Sequence, residues 1–143
     1  MPRSLMVLIL ATVSISFFSA GALHAQKIVS IHADAKGQVT IDRIMLQGAD
    51  LAKEVQQRLW RSYMSNGKMV SSISLHFDEG VTEEVRNEVL FAIKTGQEKT
   101  LTVLSLHKYK KRFEDIGASK QDKIKKHFPV LFQRNYEEIK DKS

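Results

Sequence analysis

Residues 70–106 read VSSISLHFDEGVTEEVRNEVLFAIKTGQEKTLTVLSL, and their pattern predicts strand, helix, strand. Ile73, Leu75 and Phe77 alternate with polar residues, so they share one face of a half-buried strand. After a turn at Glu79 and Gly80, the four-residue spacing of Val81, Val85, Val89 and Ile93 stacks apolar side chains along one stripe of a helix. Thr82 is placed to cap its start, Glu83 and Glu84 suit the positive end of the helix dipole, and Gly96 offers the left-handed conformation that stops a helix. Residues 100–106 alternate again, which predicts a strand parallel to the first through a right-handed crossover.

Working outward, Val29, Ile31 and Ala33 alternate with Ser30, His32 and Asp34, and Val39 and Ile41 alternate with Thr40 and Asp42. Asp34-Ala35-Lys36-Gly37 between them is a turn signature, so the pair predicts a hairpin. The consecutive Ile44, Met45 and Leu46 fit either an extension of the second strand or a buried link. Asp50 suits an N-cap for a helix carrying Leu51, Val55 and Leu59 on one stripe, with Trp60 and Tyr63 widening it and Asn66-Gly67 ending it. Beyond Leu106, Ser119 and Asp122 suit the start of a short helix with Ile124 and Phe128, which Pro129 ends or kinks. Its aromatic residues leave two arrangements open: a tail folded back on the domain, or an exposed apolar and basic strip.

The 143 residues allow one domain. Residues 1–25 have a secretory signal-peptide pattern: a cationic start at Arg3, an apolar run, then small residues at Ser19, Ala20, Gly21 and Ala22. An N-terminal membrane anchor over residues 5–23 is the alternative, since that run approaches the about 20 residues that span a bilayer. The expected division is leader 1–25, domain 26–106 and basic helical extension 107–143. There is no cysteine, which excludes disulfides, thiol nucleophiles and thiolate metal sites. The net charge of +6 is uneven: residues 26–106 hold 10 Lys or Arg against 10 Asp or Glu, and residues 107–143 hold 11 against 6. A basic end on a neutral domain points to an anionic membrane surface or an acidic envelope protein partner, and in an exported chain nucleic acid is not the expected anion. A solvated face without a partner is the plainer account of the same charges.

These elements predict an α+β fold: a small mixed sheet of about four strands in the order β-β-α-β-α-β, two helices on one face, and a helical basic tail. Unpaired sheet edges would suit a homodimer. The strand, Lys-Gly turn and strand over residues 29–41, with Ile73-Ser-Leu-His-Phe-Asp78 followed by Val81, Val85, Val89 and Gly96, resembles the periplasmic domain of the ExbD/TolR family of biopolymer-transport accessory proteins. The resemblance covers residues 28–106. It implies a soluble envelope domain that works by association without catalysis. In that family a membrane-embedded aspartate takes part in proton-driven energisation, and residues 5–23 contain no Asp or Glu, so that role does not carry over.

Two His-x-Asp pairs, His32 with Asp34 and His76 with Asp78, are the sharpest local sign of chemistry. Two residues apart on a strand is one face, so each pair projects an imidazole beside a carboxylate, and adjacent strands would gather a set able to hold a divalent metal. A solvated polar face, with Asp78 capping the turn into the helix, is the simpler reading. His107 and His127 sit among lysines and read as solvated surface. Ser74, His76 and Asp78 lie along one strand with no glycine-framed nucleophile turn, which argues against a hydrolytic triad. No phosphate-binding loop or dinucleotide fingerprint is present, so no cofactor is expected. The contact residues expected for a partner or anionic surface are Lys108, Lys110, Lys111 and Arg112. The alternative function is an exported metal- or small-ligand-binding protein using His32, Asp34, His76 and Asp78.

Overall fold

Alternating burial along two six-residue strands, β1 (Ile28–Ala33) and β4 (Ser72–Phe77), sets the position of everything else. The structure is a computed structural model that describes residues 28–47 and 50–138. The leader and the alternative anchor lie outside the described residues. In chain order the remaining elements are β2 (Val39–Ile41), β3 (Ile44–Met45), α1 (Leu51–Asn66), α2 (Glu83–Tyr109), α3 (Ala118–His127) and β5 (Glu137–Glu138), with single 3₁₀ turns at Phe113–Asp115 and Pro129–Phe132.

The fold is α+β, as the pattern predicts. The mixed sheet runs β3-β2-β1-β4-β5, with β1 antiparallel to β2 and parallel to β4. Val29, Ile31 and Ala33 of β1 and Ile73, Leu75 and Phe77 of β4 are buried in one core with Val55 and Leu59 of α1 and Val89, Ile93 and Leu104 of α2. The predicted hairpin forms: Gly37 takes a φ of 78°, and the Asp34 Oδ1 accepts the Lys36 and Gln38 amides at 2.9 Å each. Ile44 and Met45 form a third strand, reached through Asp42 and Arg43 at positive φ of 47° and 68°. The Asp42 carboxylate offsets that strain by accepting from the Ser30 amide at 2.9 Å and from Arg58 of α1 at 2.7 Å. Asp50 stands at the start of α1 but its side chain makes no capping bond, whereas Thr82 accepts from the Val85 amide at 3.3 Å as expected.

The predicted strand over residues 100–106 is a correction. Those residues belong to α2, which runs for 27 residues, about 40 Å at the usual helical rise. The stripe that decides it is Val89, Ile93, Gly96, Gln97, Thr100 and Leu104, all buried at helical spacing. Thr95, Thr100 and Thr102 turn their hydroxyls onto the carbonyl oxygens of Phe91, Gly96 and Glu98 at 2.9, 2.7 and 3.1 Å, satisfying them within the helix. Gly96 is not a stop; its missing side chain lets α1 approach, because a Cβ there would lie 2.7 Å from the Ala52 carbonyl oxygen. The helix ends at Lys110, with φ 59°.

The expected boundary at Leu106 therefore falls inside α2, and the segment after it packs on the same core through Ile116, Ile124, Phe128, Val130 and Leu131. α3 starts at Ala118 with Gly117 in the N-cap position, so Ser119 lies within the first turn and does not cap it. A buried amide holds this segment down. Gln97 Nε2 donates to the carbonyl oxygens of Val130 at 2.7 Å and Gln133 at 3.2 Å, and Gln97 Oε1 accepts from the Tyr136 hydroxyl at 3.0 Å. Burial pushes the Tyr136 pKa up. The Gln133 side chain accepts from the Ile73 amide and donates to the Ile73 carbonyl oxygen, both at 2.9 Å, so one amide does the work of a strand partner on the edge of β4. β5 continues that edge, paired in parallel with Ser74 and Leu75.

Candidate functional site

The parallel register of β1 and β4 places His32 directly beside His76, on the sheet face opposite the helices. Their rings stand 5.1 Å apart at an interplanar angle of 34°. Asp78 follows β4, where its amide donates to the Ala33 carbonyl oxygen at 3.0 Å and prolongs the ladder by one step. This carries its carboxylate over the two rings, with Oδ1 2.7 Å from His32 Nε2 and 3.3 Å from His76 Nε2. The hydrogen bond from His32 holds the Asp78 carboxyl below its ordinary pKa, against a smaller opposing effect of partial burial, and the charges of His32 and His76 act in the same downward direction. One donor atom from each of the three residues falls within 4.8 Å of the others.

Of the four residues expected to converge, Asp34 does not join. It sits on the same face by alternation, but the chain turns at that point and its carboxylate caps the hairpin. Asp34 and Asp78 thus part company because one begins a tight turn and the other extends a strand. Both nitrogens that meet Asp78 are Nε2, so each neutral ring that donates to it carries its proton there. The cluster offers two imidazoles and a carboxylate, all partly exposed, as lone-pair donors to a cation or as a proton-holding set.

A second feature lies at the other end of β4. The loop that follows α1, the end of α2 and the C-terminal half of α3 enclose a half-open groove of about 720 Å³. Lys68 from the α1–β4 loop, Lys108 from α2, and Lys123 and Lys126 from α3 line it above a floor that includes Val70, Ile124 and Phe128. No acidic side chain lines it among the described residues. Lys108 Nζ sits 5.9 Å from the centre of the Phe128 ring. Of the cations expected to bind a partner, Lys108 is in this groove, while Lys110, Lys111 and Arg112 are exposed on the chain that leaves α2. Arg112 Nε is 3.9 Å from Glu114, and the Lys111 carbonyl oxygen accepts from Ser105.

His107 and His127 are exposed but engaged. His107 meets Trp60 and Tyr63 edge-on at 5.6 and 6.0 Å, and His127 Nδ1 lies 2.7 Å from the Lys123 carbonyl oxygen. Lys68, Lys123 and Lys126 escaped the sequence reading. The three-residue spacing of Lys123 and Lys126 puts them on one helix face and was visible, but nothing in the sequence links them to Lys68. Comparison of the chain with protein-family models, curated proteins and solved structures finds no match.

Proposed function

We propose that this protein is an exported, non-enzymatic cell-envelope interaction module, resembling the periplasmic domain of ExbD/TolR-type transport accessories, that holds to an anionic phospholipid surface by its cationic end. The observation that carries this reading is the groove in which Lys68, Lys108, Lys123 and Lys126 meet without an acidic neighbour in its lining. Further support comes from Lys110, Lys111 and Arg112, which extend the same positive end into solvent. A lysine held near an anionic bilayer gains about 1 kcal/mol, so four together supply about 4 kcal/mol, roughly a thousandfold in affinity. The gain decays within about 8 Å at physiological ionic strength, which requires the groove to face the bilayer closely. Proton coupling is not part of the proposal, because residues 5–23 lack an ionisable carboxylate.

Co-sedimentation of the full chain with vesicles tests this. Binding to vesicles containing phosphatidylglycerol, absent with phosphatidylcholine alone and weakened by salt, is the expected result. Lys68→Glu, Lys108→Glu, Lys123→Glu and Lys126→Glu combined should abolish it. Equal binding of the parent and this variant would refute the cationic end as the contact. Salt-insensitive capture of an acidic envelope protein, with no vesicle binding, would replace the lipid by that partner.

A further inference from the structure

We infer that His32, His76 and Asp78 form a three-ligand site for a divalent transition-metal ion of the zinc, nickel or copper class. This goes beyond the membrane-association reading, uses a different surface, and stands or falls independently of it.

The donor set selects the ion. Two imidazole nitrogens and one carboxylate oxygen suit borderline metals, whereas calcium and magnesium take oxygen-rich shells. Geometry agrees with that choice. Tetrahedral zinc at bonds of about 2.0–2.1 Å sets its ligand atoms about 3.3 Å apart. His76 Nε2 and Asp78 Oδ1 are already 3.3 Å apart. His32 Nε2 and Asp78 Oδ1 are 2.7 Å apart, the distance of the hydrogen bond that links them without a metal, so that pair must open by about 0.6 Å. The Asp78 side chain, 39% exposed, is the group with room to turn for this.

The scaffold is suited to hold the ligands still. His32 and His76 are register partners in the parallel ladder, and the alternating neighbours of each are buried in the core. Asp78 is tied to β1 by its own amide. β1 contributes one ligand, and β4 with the residue just beyond it contributes the other two, so an ion there would cross-link two chain segments far apart in sequence. Three protein ligands leave the fourth position open to water or to a donor from outside the chain. A neutral ring that donates its Nε2 proton to Asp78 must carry that proton on Nδ1 instead before Nε2 can ligate a metal.

The test is titration of the full chain, without a polyhistidine tag, with zinc chloride and nickel chloride in a calorimeter, with magnesium chloride as the comparison. Expected are about one zinc or nickel ion bound per chain, no heat with magnesium, and a rise in melting temperature with zinc. His32→Gln and His76→Gln should each weaken zinc binding at least tenfold, while Asp34→Asn leaves it unchanged. In the unaltered protein, the imidazole resonances of His32 and His76 should move on zinc addition and those of His107 and His127 should not. This last measurement does not depend on any variant folding. Absence of zinc and nickel binding overturns the inference, as does binding that survives loss of both histidines or that moves only His107 or His127.

Discussion

Gly96→Ala is the substitution whose outcome most directly tests the packing of this fold. Judged by sequence pattern alone it is harmless or helpful, because alanine is favoured over glycine by about 0.8–1.0 kcal/mol inside a helix. In the structure the added methyl would lie 2.7 Å from the Ala52 carbonyl oxygen and 2.8 Å from both Cβ and Cγ1 of Val55. Comfortable contact begins at about 3.5 Å, so α1 and α2 must separate by about 0.8 Å where they cross. The obstructing atoms include α1 backbone, which cannot swing aside as a side-chain tip can. Separation also loosens Val55, Leu59 and Ile93, all fully buried. Overpacking of this kind costs about 1–3 kcal/mol, and a backbone clash belongs near the upper end, leaving a net loss of about 2 kcal/mol after the gain in helix propensity. For a domain of this size that lowers the melting temperature by roughly 8 °C. Thermal unfolding followed by circular dichroism measures it, and Val55→Ala in the same chain should lessen the effect of Gly96→Ala by removing part of the obstruction. An unchanged or raised melting temperature would refute the close crossing at Gly96.

Three further predictions concern the C-terminal segment and the histidine cluster. Gln97→Leu leaves the Val130 carbonyl oxygen and the Tyr136 hydroxyl without their partner and should destabilise by about 1–3 kcal/mol for each group that stays buried. Gln133→Ala should speed hydrogen exchange at the Ile73 amide while the Leu59 amide in α1 stays protected; equal rates at Ile73 in the parent and variant would contradict the side-chain ladder. The hydrogen bond from His32, aided by nearby histidine charge, depresses the Asp78 carboxyl pKa, so its contribution to stability is fully present above the ordinary value of 3.8 and is lost as pH falls through the lower folded-state value. Asp78→Asn should flatten that part of the acid-unfolding profile, and an unaltered profile would rule the linkage out.

Much of the sheet was legible. β1 and β4 each bury alternate residues, and that two-residue period is written in Val29-Ile31-Ala33 and Ile73-Leu75-Phe77 whatever surrounds them. The stripe of α1 was equally plain. β3 and β5 are only two residues each, too short to carry a period, and β5 is a strand only because β4 offers an edge beside it. Of the histidine cluster, the two His-x-Asp pairs could be seen, but which carboxylate would join them could not.

By itself the sequence determined an α+β domain, two helices against one apolar sheet face, a polar face bearing both histidines, and a surplus of cations toward the end of the chain. Only the tertiary structure decided the state of residues 100–106, where Thr-Leu-Thr-Val-Leu-Ser-Leu alternates as a strand would yet places Thr100 and Leu104 four apart, as a helix needs. Both local patterns are satisfied, so the tie is broken by distant residues: Gln133 and β5 occupy the edge of β4, while α1 and Val130 offer Gly96 and Gln97 a buried seat. The lysine groove arises in the same way, because continuing α2 past Gly96 is what brings Lys108 to Lys68 and α3.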